Sequence, residues 1–236
     1  MSDATILQHL ALARRIADHA DRLGVHRAPS VSRVAMTHLG AALADAILQA
    51  GVNYRTVVYM RVQRIQSQFP ETATLPGLMK LVERNDVRNL LAWNHSTKVT
   101  RFISLTQFLA SRRIETTCDL KRWLSIAPSR KELLRLNGIG PKTCDYLCCL
   151  VGIDCIAIDR HVRLFASEAG VVVRDYEMLR SVVSFAADLL NIARRDFDAW
   201  IWRNTSGRTI GAEELWPSET WLATPARAAE PDMTSL

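Results

Sequence analysis

No stretch of this 236-residue chain approaches the roughly 18–20 consecutive apolar residues that cross a bilayer. Met1 to Arg14 lacks the continuous apolar segment of a secretory signal. Both shortages point to a cytoplasmic protein with no membrane partner. Cysteine is also scarce. Cys118, Cys144, Cys148, Cys149 and Cys155 are odd in number and bunched mid-chain, a poor disulfide framework. No second Cys or His pair stands at ligand spacing, so no metal and no other cofactor is expected, and the thiols read as small buried apolar groups. Strand alternation is missing apart from Val171–Val173, and no repeat of fixed period argues for a solenoid.

What remains is helix after helix. Hydrophobic residues make up 48% of the chain, a globular composition. Apolar spacing near 3.6 predicts helices over Ile6–Leu23, Val34–Ala50, Tyr54–Phe69, Thr74–Val82, Asn85–Trp93, Ser96–Arg112, Thr117–Ala127 and Ser129–Leu136, with Gly24, Gly51 and Pro70 as stops. The fold class is all-α, with ten or more helices. Trp93, Trp123, Trp200 and Trp202 are assigned to the core. After Ser206 the composition shifts to Gly, Thr, Pro, Ala and Glu, which marks a tail. Trp216 and Trp221 could still pack down, and fraying is expected after Thr224.

The net charge of +6 is unevenly placed. Between Ser111 and Lys142, eight basic residues (Arg112, Arg113, Lys121, Arg122, Arg130, Lys131, Arg135 and Lys142) face Glu115, Asp119 and Glu132, so nearly the whole excess lies there. A solvated helix face is the ordinary explanation of such a run. Here the run leads into an anion-binding pattern, which favours a polyanion-facing patch.

That pattern is Leu133–Leu147, LLRLNGIGPKTCDYL. Leu133, Leu136, Ile139 and Leu147 are spaced to pack two short helices around the turn Asn137-Gly138-Ile139-Gly140-Pro141. Gly138 and Gly140 are expected to supply unusual backbone angles and close approach, and Ile139 to anchor the turn. Pro141, Lys142 and Thr143 open the next helix, whose first N–H groups would face an anion. Beyond it comes Ile156-Ala157-Ile158-Asp159-Arg160-His161-Val162-Arg163, with Asp159, seventeen residues after Lys142, at a helix start.

A hairpin ending Gly-x-Lys-Thr, followed at this distance by apolar-Asp-x-His-Val-Arg, resembles the helix-hairpin-helix DNA glycosylase superfamily of endonuclease III and 8-oxoguanine glycosylase. The likeness covers roughly 40–205 and is sharp over 133–165, with an upstream echo in Trp93-Asn94-His95-Ser96-Thr97-Lys98-Val99. It implies a monomeric, double-stranded-DNA-binding enzyme of base excision repair, in the nucleoid if the source is bacterial. It further implies Asp159 and Lys142 as catalytic groups and a strand held by Asn137, Gly138, Ile139, Gly140, Lys142, Thr143 and Lys98. Base pocket or wedge residues would come from Gln49, Asn53, Tyr54 and His161. No Cys follows Cys155, so the resemblance is to the branches lacking an iron–sulfur cluster.

The fold so implied has a six-helix lobe over 46–155, ending in the helix-hairpin-helix at 133–150. A second lobe combines 1–45 with 156–205, and 206–236 is the tail. Several alternatives stay open. Asp159 could be an ordinary helix cap, Lys142 a phosphate contact rather than a nucleophile, and His161 a packed core residue. Arg163 is expected to pair with an acid. The whole could be a DNA-binding module without activity, or a base-modification enzyme on the same scaffold.

Overall fold

A computed structural model describes residues 3–27 and 34–206, and the tail expected over 206–236 lies almost wholly outside them. Among the described residues twelve α-helices run in chain order: α1 (Asp3–Arg22), α2 (Leu39–Leu48), α3 (Tyr59–Gln68), α4 (Leu75–Glu83), α5 (Val87–Leu91), α6 (Ser96–Ser111), α7 (Thr117–Leu124), α8 (Ala127–Leu133), α9 (Pro141–Leu150), α10 (Arg160–Glu168), α11 (Tyr176–Leu189) and α12 (Arg194–Thr205). The described residues contain no strand, Val171–Val173 included.

The helix boundaries follow local chemistry. His38 caps α2 by accepting from the Ala41 N–H through Nδ1, so the helix begins five residues later than its apolar pattern suggested. The extended stretch before it is tied down by the Met36 N–H donating to the Leu150 carbonyl. Thr116 and Asp119 form a reciprocal capping box at the start of α7. The expected Tyr54–Phe69 helix opens instead with a π-helical turn over Tyr54–Val58, a local widening common at functional sites.

Apolar side chains gather in two clusters. One draws on α2 to α9, from Leu39 through Phe102 and Leu105 to Cys155 and Ala157. The other joins Ala13, Ile16, Ala17 and Ala20 of α1 to Ile156, Ile158, Phe165, Val183, Phe197 and Ile201. Residues 39–45, expected among the N-terminal helices of the second lobe, bury their side chains in the first cluster, because α2 packs between α3, α6 and α9. The α1 stripe is also narrower than its periodicity suggested. Leu7 is 67% exposed, and Ile6, Leu10 and Leu23 are exposed as well. Cys144, Cys148, Cys149 and Cys155 are buried free thiols, with the Cys149 and Cys155 sulfurs 3.2 Å apart.

Candidate active site

The turn between α8 and α9 is built as its residue types require. Leu133, Ile139 and Leu147 are buried in the first cluster, and Leu136 packs against it. Gly138 holds φ +80°, where a side chain is strained, and a Cβ there would fall inside the Arg101 side chain. Gly140 differs from expectation. Its φ of −92° and ψ of 177° are open to any residue, so its role is to start α9 without a side-chain cap. The Ile139 N–H donates to the Leu136 carbonyl and is not free for a ligand. The N–H groups of Gly140, Lys142 and Thr143 find no acceptor among the described residues, the usual state of a helix first turn. Asn137 is exposed on the rim.

Asp159 is the N-cap of α10. Its Oδ1 accepts from the His161 N–H at 2.8 Å and the Val162 N–H at 3.0 Å, while Oδ2 accepts no hydrogen bond among the described residues. The carboxylate is thus aimed by one oxygen and open at the other. His161 is buried, and burial holds its imidazole below the ordinary range. Asp159 pushes back, while Arg160 and Lys142 push the same way as burial. Arg160 donates to His161 Nε2 at 3.4 Å, which leaves Nδ1 buried with no partner. The Lys142 ammonium makes no hydrogen bond or ion pair among the described residues, and it acts electrostatically on both His161 and Lys98.

An aromatic wall stands beside these groups. The Trp202 ring lies edge-on to His161 at 6.1 Å and to Tyr54 at 5.9 Å, with the Arg55 guanidinium 5.5 Å from its centroid. The Tyr54 hydroxyl donates to Asp45 Oδ2, and the Tyr146 hydroxyl of α9 donates to Asp45 Oδ1, both at 3.0 Å. Asp45 is fully buried, so these two phenols lock the π-turn to α2 and α9. Asp45 and Tyr146 escaped the sequence reading, and Trp202, assigned there to the core, is only half-buried and faces Tyr54 and His161 instead. For Trp202 a signal existed: it sits two residues from Trp200 on one helix, so both cannot face the same core.

Three expected residues stand differently. Lys98 is not a free cation on a DNA-facing surface. Its Nζ donates to the Leu48 and Ala50 carbonyls at 2.6 and 2.7 Å, closing the C-terminus of α2, and it lies over the Trp93 ring. Asn53 caps the π-turn by accepting from the Thr56 N–H. Gln49 ends α2 with its Nε2 buried and unpartnered. Elsewhere, Arg163 donates to the Val173 and Arg174 carbonyls rather than to an acid.

The chain shares its fold with a solved structure, the crystal structure of the 3-methyladenine DNA glycosylase MagIII of H. pylori bound to 1,N6-ethenoadenine. It shares 15% identity and a TM-score of 0.60, over 84% of this chain and 99% of that one. No protein-family model matches the chain, and no curated protein sequence matches it.

Proposed function

We propose that the protein is a DNA glycosylase of base excision repair that cleaves the N-glycosidic bond of a damaged or mispaired base in double-stranded DNA. The single observation that carries this reading is the Asp159 carboxylate, held at a helix N-terminus through Oδ1 with Oδ2 unengaged, beside a wall of Tyr54, His161 and Trp202. The shared fold with a glycosylase holding a damaged base supports it. As the C1′–N bond breaks, its electron pair leaves with the base and positive charge builds on the sugar. A fixed carboxylate stabilises that charge, and water then adds its oxygen to C1′ and loses a proton. The aromatic wall gives an extruded base a surface to stack on. DNA comes to the α8–α9 turn, whose free N–H groups meet phosphate oxygens without reading bases.

Asp159→Asn tests the reading cleanly, because Asn caps a helix about as well as Asp. Base release from a panel of duplexes, each with one lesion or mismatch, should fall by on the order of 10²-fold or more. DNA affinity and thermal stability should hold. Base release at the wild-type rate removes Asp159 from the mechanism.

The same site suggests a second step. Lys142 has no hydrogen-bond or ion-pair partner among the described residues. Once it has given up a proton its amine adds to the C1′ aldehyde of the abasic sugar, water leaves to give the Schiff base, and β-elimination expels the 3′ phosphate and cuts the strand. Borohydride should then trap a covalent complex with abasic-site DNA, and Lys142→Gln should abolish it. Trapping that survives the substitution assigns the chemistry to another amine, with Lys98 the nearest rival, and leaves Lys142 a phosphate contact.

A further inference from the structure

Helix α6 carries a row of hydroxyls that the proposed chemistry does not use. Ser96, Thr97, Thr100 and Ser104 line an open pocket of about 290 Å³, completed by Arg101 and by Asn137 of the hairpin turn. They run from the first turn of the helix, at Ser96 and Thr97, along one flank through Thr100 to Ser104. Arg101 reaches the turn because Gly138 has no side chain to block it. Its Nε is buried with no hydrogen-bond partner, a state that costs free energy unless a ligand supplies an acceptor. Arg101 and Lys142 both stand close enough to act electrostatically on Lys98. The Lys98 amine is pushed down to about 8 by burial, then Arg101, then Lys142, with no carboxylate opposing them.

A buried guanidinium donor, four hydroxyls and the Asn137 amide describe a seat for an anion that accepts hydrogen bonds on several oxygens. The unoccupied N–H groups of Gly140, Lys142 and Thr143 form a second anion seat at the start of α9. Two seats at one turn suit a chain of phosphodiesters better than an isolated carboxylate. We infer that the α6 pocket holds a backbone phosphodiester of the same DNA strand that the hairpin grips, with Arg101 as its cation and Thr97 and Thr100 as its hydroxyl donors. This rests on the DNA-binding half of the proposed function.

Fluorescence anisotropy with an undamaged duplex, over a series of salt concentrations, tests the inference. Arg101→Gln should lower the slope of log affinity against log salt by about 1. Thr100→Glu, at an exposed position that leaves folding undisturbed, should weaken binding roughly tenfold at low salt by placing like charge beside the phosphate. Both effects should be equal on all sequences. Thr143→Glu, on the hairpin side of the turn, is the control. If Thr143→Glu weakens binding while Arg101→Gln and Thr100→Glu do not, the α6 seat is overturned and the hairpin reading stands. If none of the three has an effect, the DNA reading itself falls. Inorganic phosphate should displace DNA no better than chloride at matched ionic strength. Markedly stronger displacement by phosphate would show a free-phosphate site and overturn the backbone assignment.

Discussion

Lys142 and Asp145 stand three residues apart on α9 and occupy opposite electrostatic settings. Asp145 is fully buried, and every charge near it is matched. Arg130 pairs with one carboxylate oxygen, while Tyr176 donates to the other at 2.8 Å and Arg180 approaches it to 3.7 Å. Lys142, one turn earlier, shares its surroundings with Lys98 and Arg101 and with no ion-pairing acid. The first cluster is internal structure, joining α8, α9 and α11. The second is an unmet demand for negative charge at the surface. Arginine occurs in both, so where positive charge goes matters more than how much of it the chain carries.

The comparison can be broken most forcibly at Arg130. Arg130→Met leaves the Asp145 charge buried with Tyr176 and a distant Arg180, and should cost about 3–5 kcal/mol of stability by urea unfolding. A loss near zero would mean that Asp145 is not charged in the fold, and the contrast with Lys142 would disappear.

Lys98 allows a finer break, because it belongs to the unneutralised cluster yet serves the fold. Lys98→Met removes two hydrogen bonds to the end of α2 and should cost about 1 kcal/mol near neutral pH. The pH dependence has a definite sign. The amine titrates near 8 in the folded chain and about 10.4 when unfolded. Between those values the unfolded chain binds more protons, so this residue's contribution to stability rises with pH. Below 8 both states are charged and the contribution is flat. The stability gap between wild type and Lys98→Met should therefore widen from about pH 8 to pH 10, as read from urea midpoints. A constant gap would show that neither burial nor the neighbouring cations lower the Lys98 amine in the folded chain.

Much of this was legible in the residues themselves. The 3.6-residue spacing marked most helices within a few positions, since an amphipathic stripe reports its own burial. The hairpin was readable from Leu133, Ile139, Leu147 and the glycine turn because its contacts are local. Asp159 was readable as a helix cap for the same reason. Lys98 was not, because the carbonyls it closes lie about 50 residues away in the chain. Nor was the Asp45–Tyr54–Tyr146 lock, which draws on three separate elements. The basic run of 111–142 misled most: it is a run in sequence, but its side chains face different ways. Arg130 turns inward to Asp145, while Arg112 and Arg122 pair with Glu132 and Asp119 of the same run. The cation that the α6 pocket adds, Arg101, lies outside the run.

That last point yields the smallest expected effect and the sharpest use of the comparison. Arg112 is a basic residue of the run whose charge is already spoken for, with Glu132 at 2.7 Å and the Phe108 ring 5.6 Å away. The pair is only partly exposed, 48% at Arg112 and 31% at Glu132, so Arg112→Ala should cost no more than about 1 kcal/mol. A guanidinium held by its own carboxylate displaces few counterions from DNA, so the salt slope of duplex binding should not move. Arg101→Gln, measured beside it, should lower that slope by about 1, since each lost phosphate contact contributes roughly that amount. The two substitutions remove the same formal charge from the same protein. Equal shifts in slope would mean that DNA responds to total charge, and the distinction between matched and unmatched arginines would lose its functional meaning. Unequal shifts in the expected direction would place the DNA-facing surface on α6 and the hairpin rather than along the basic run.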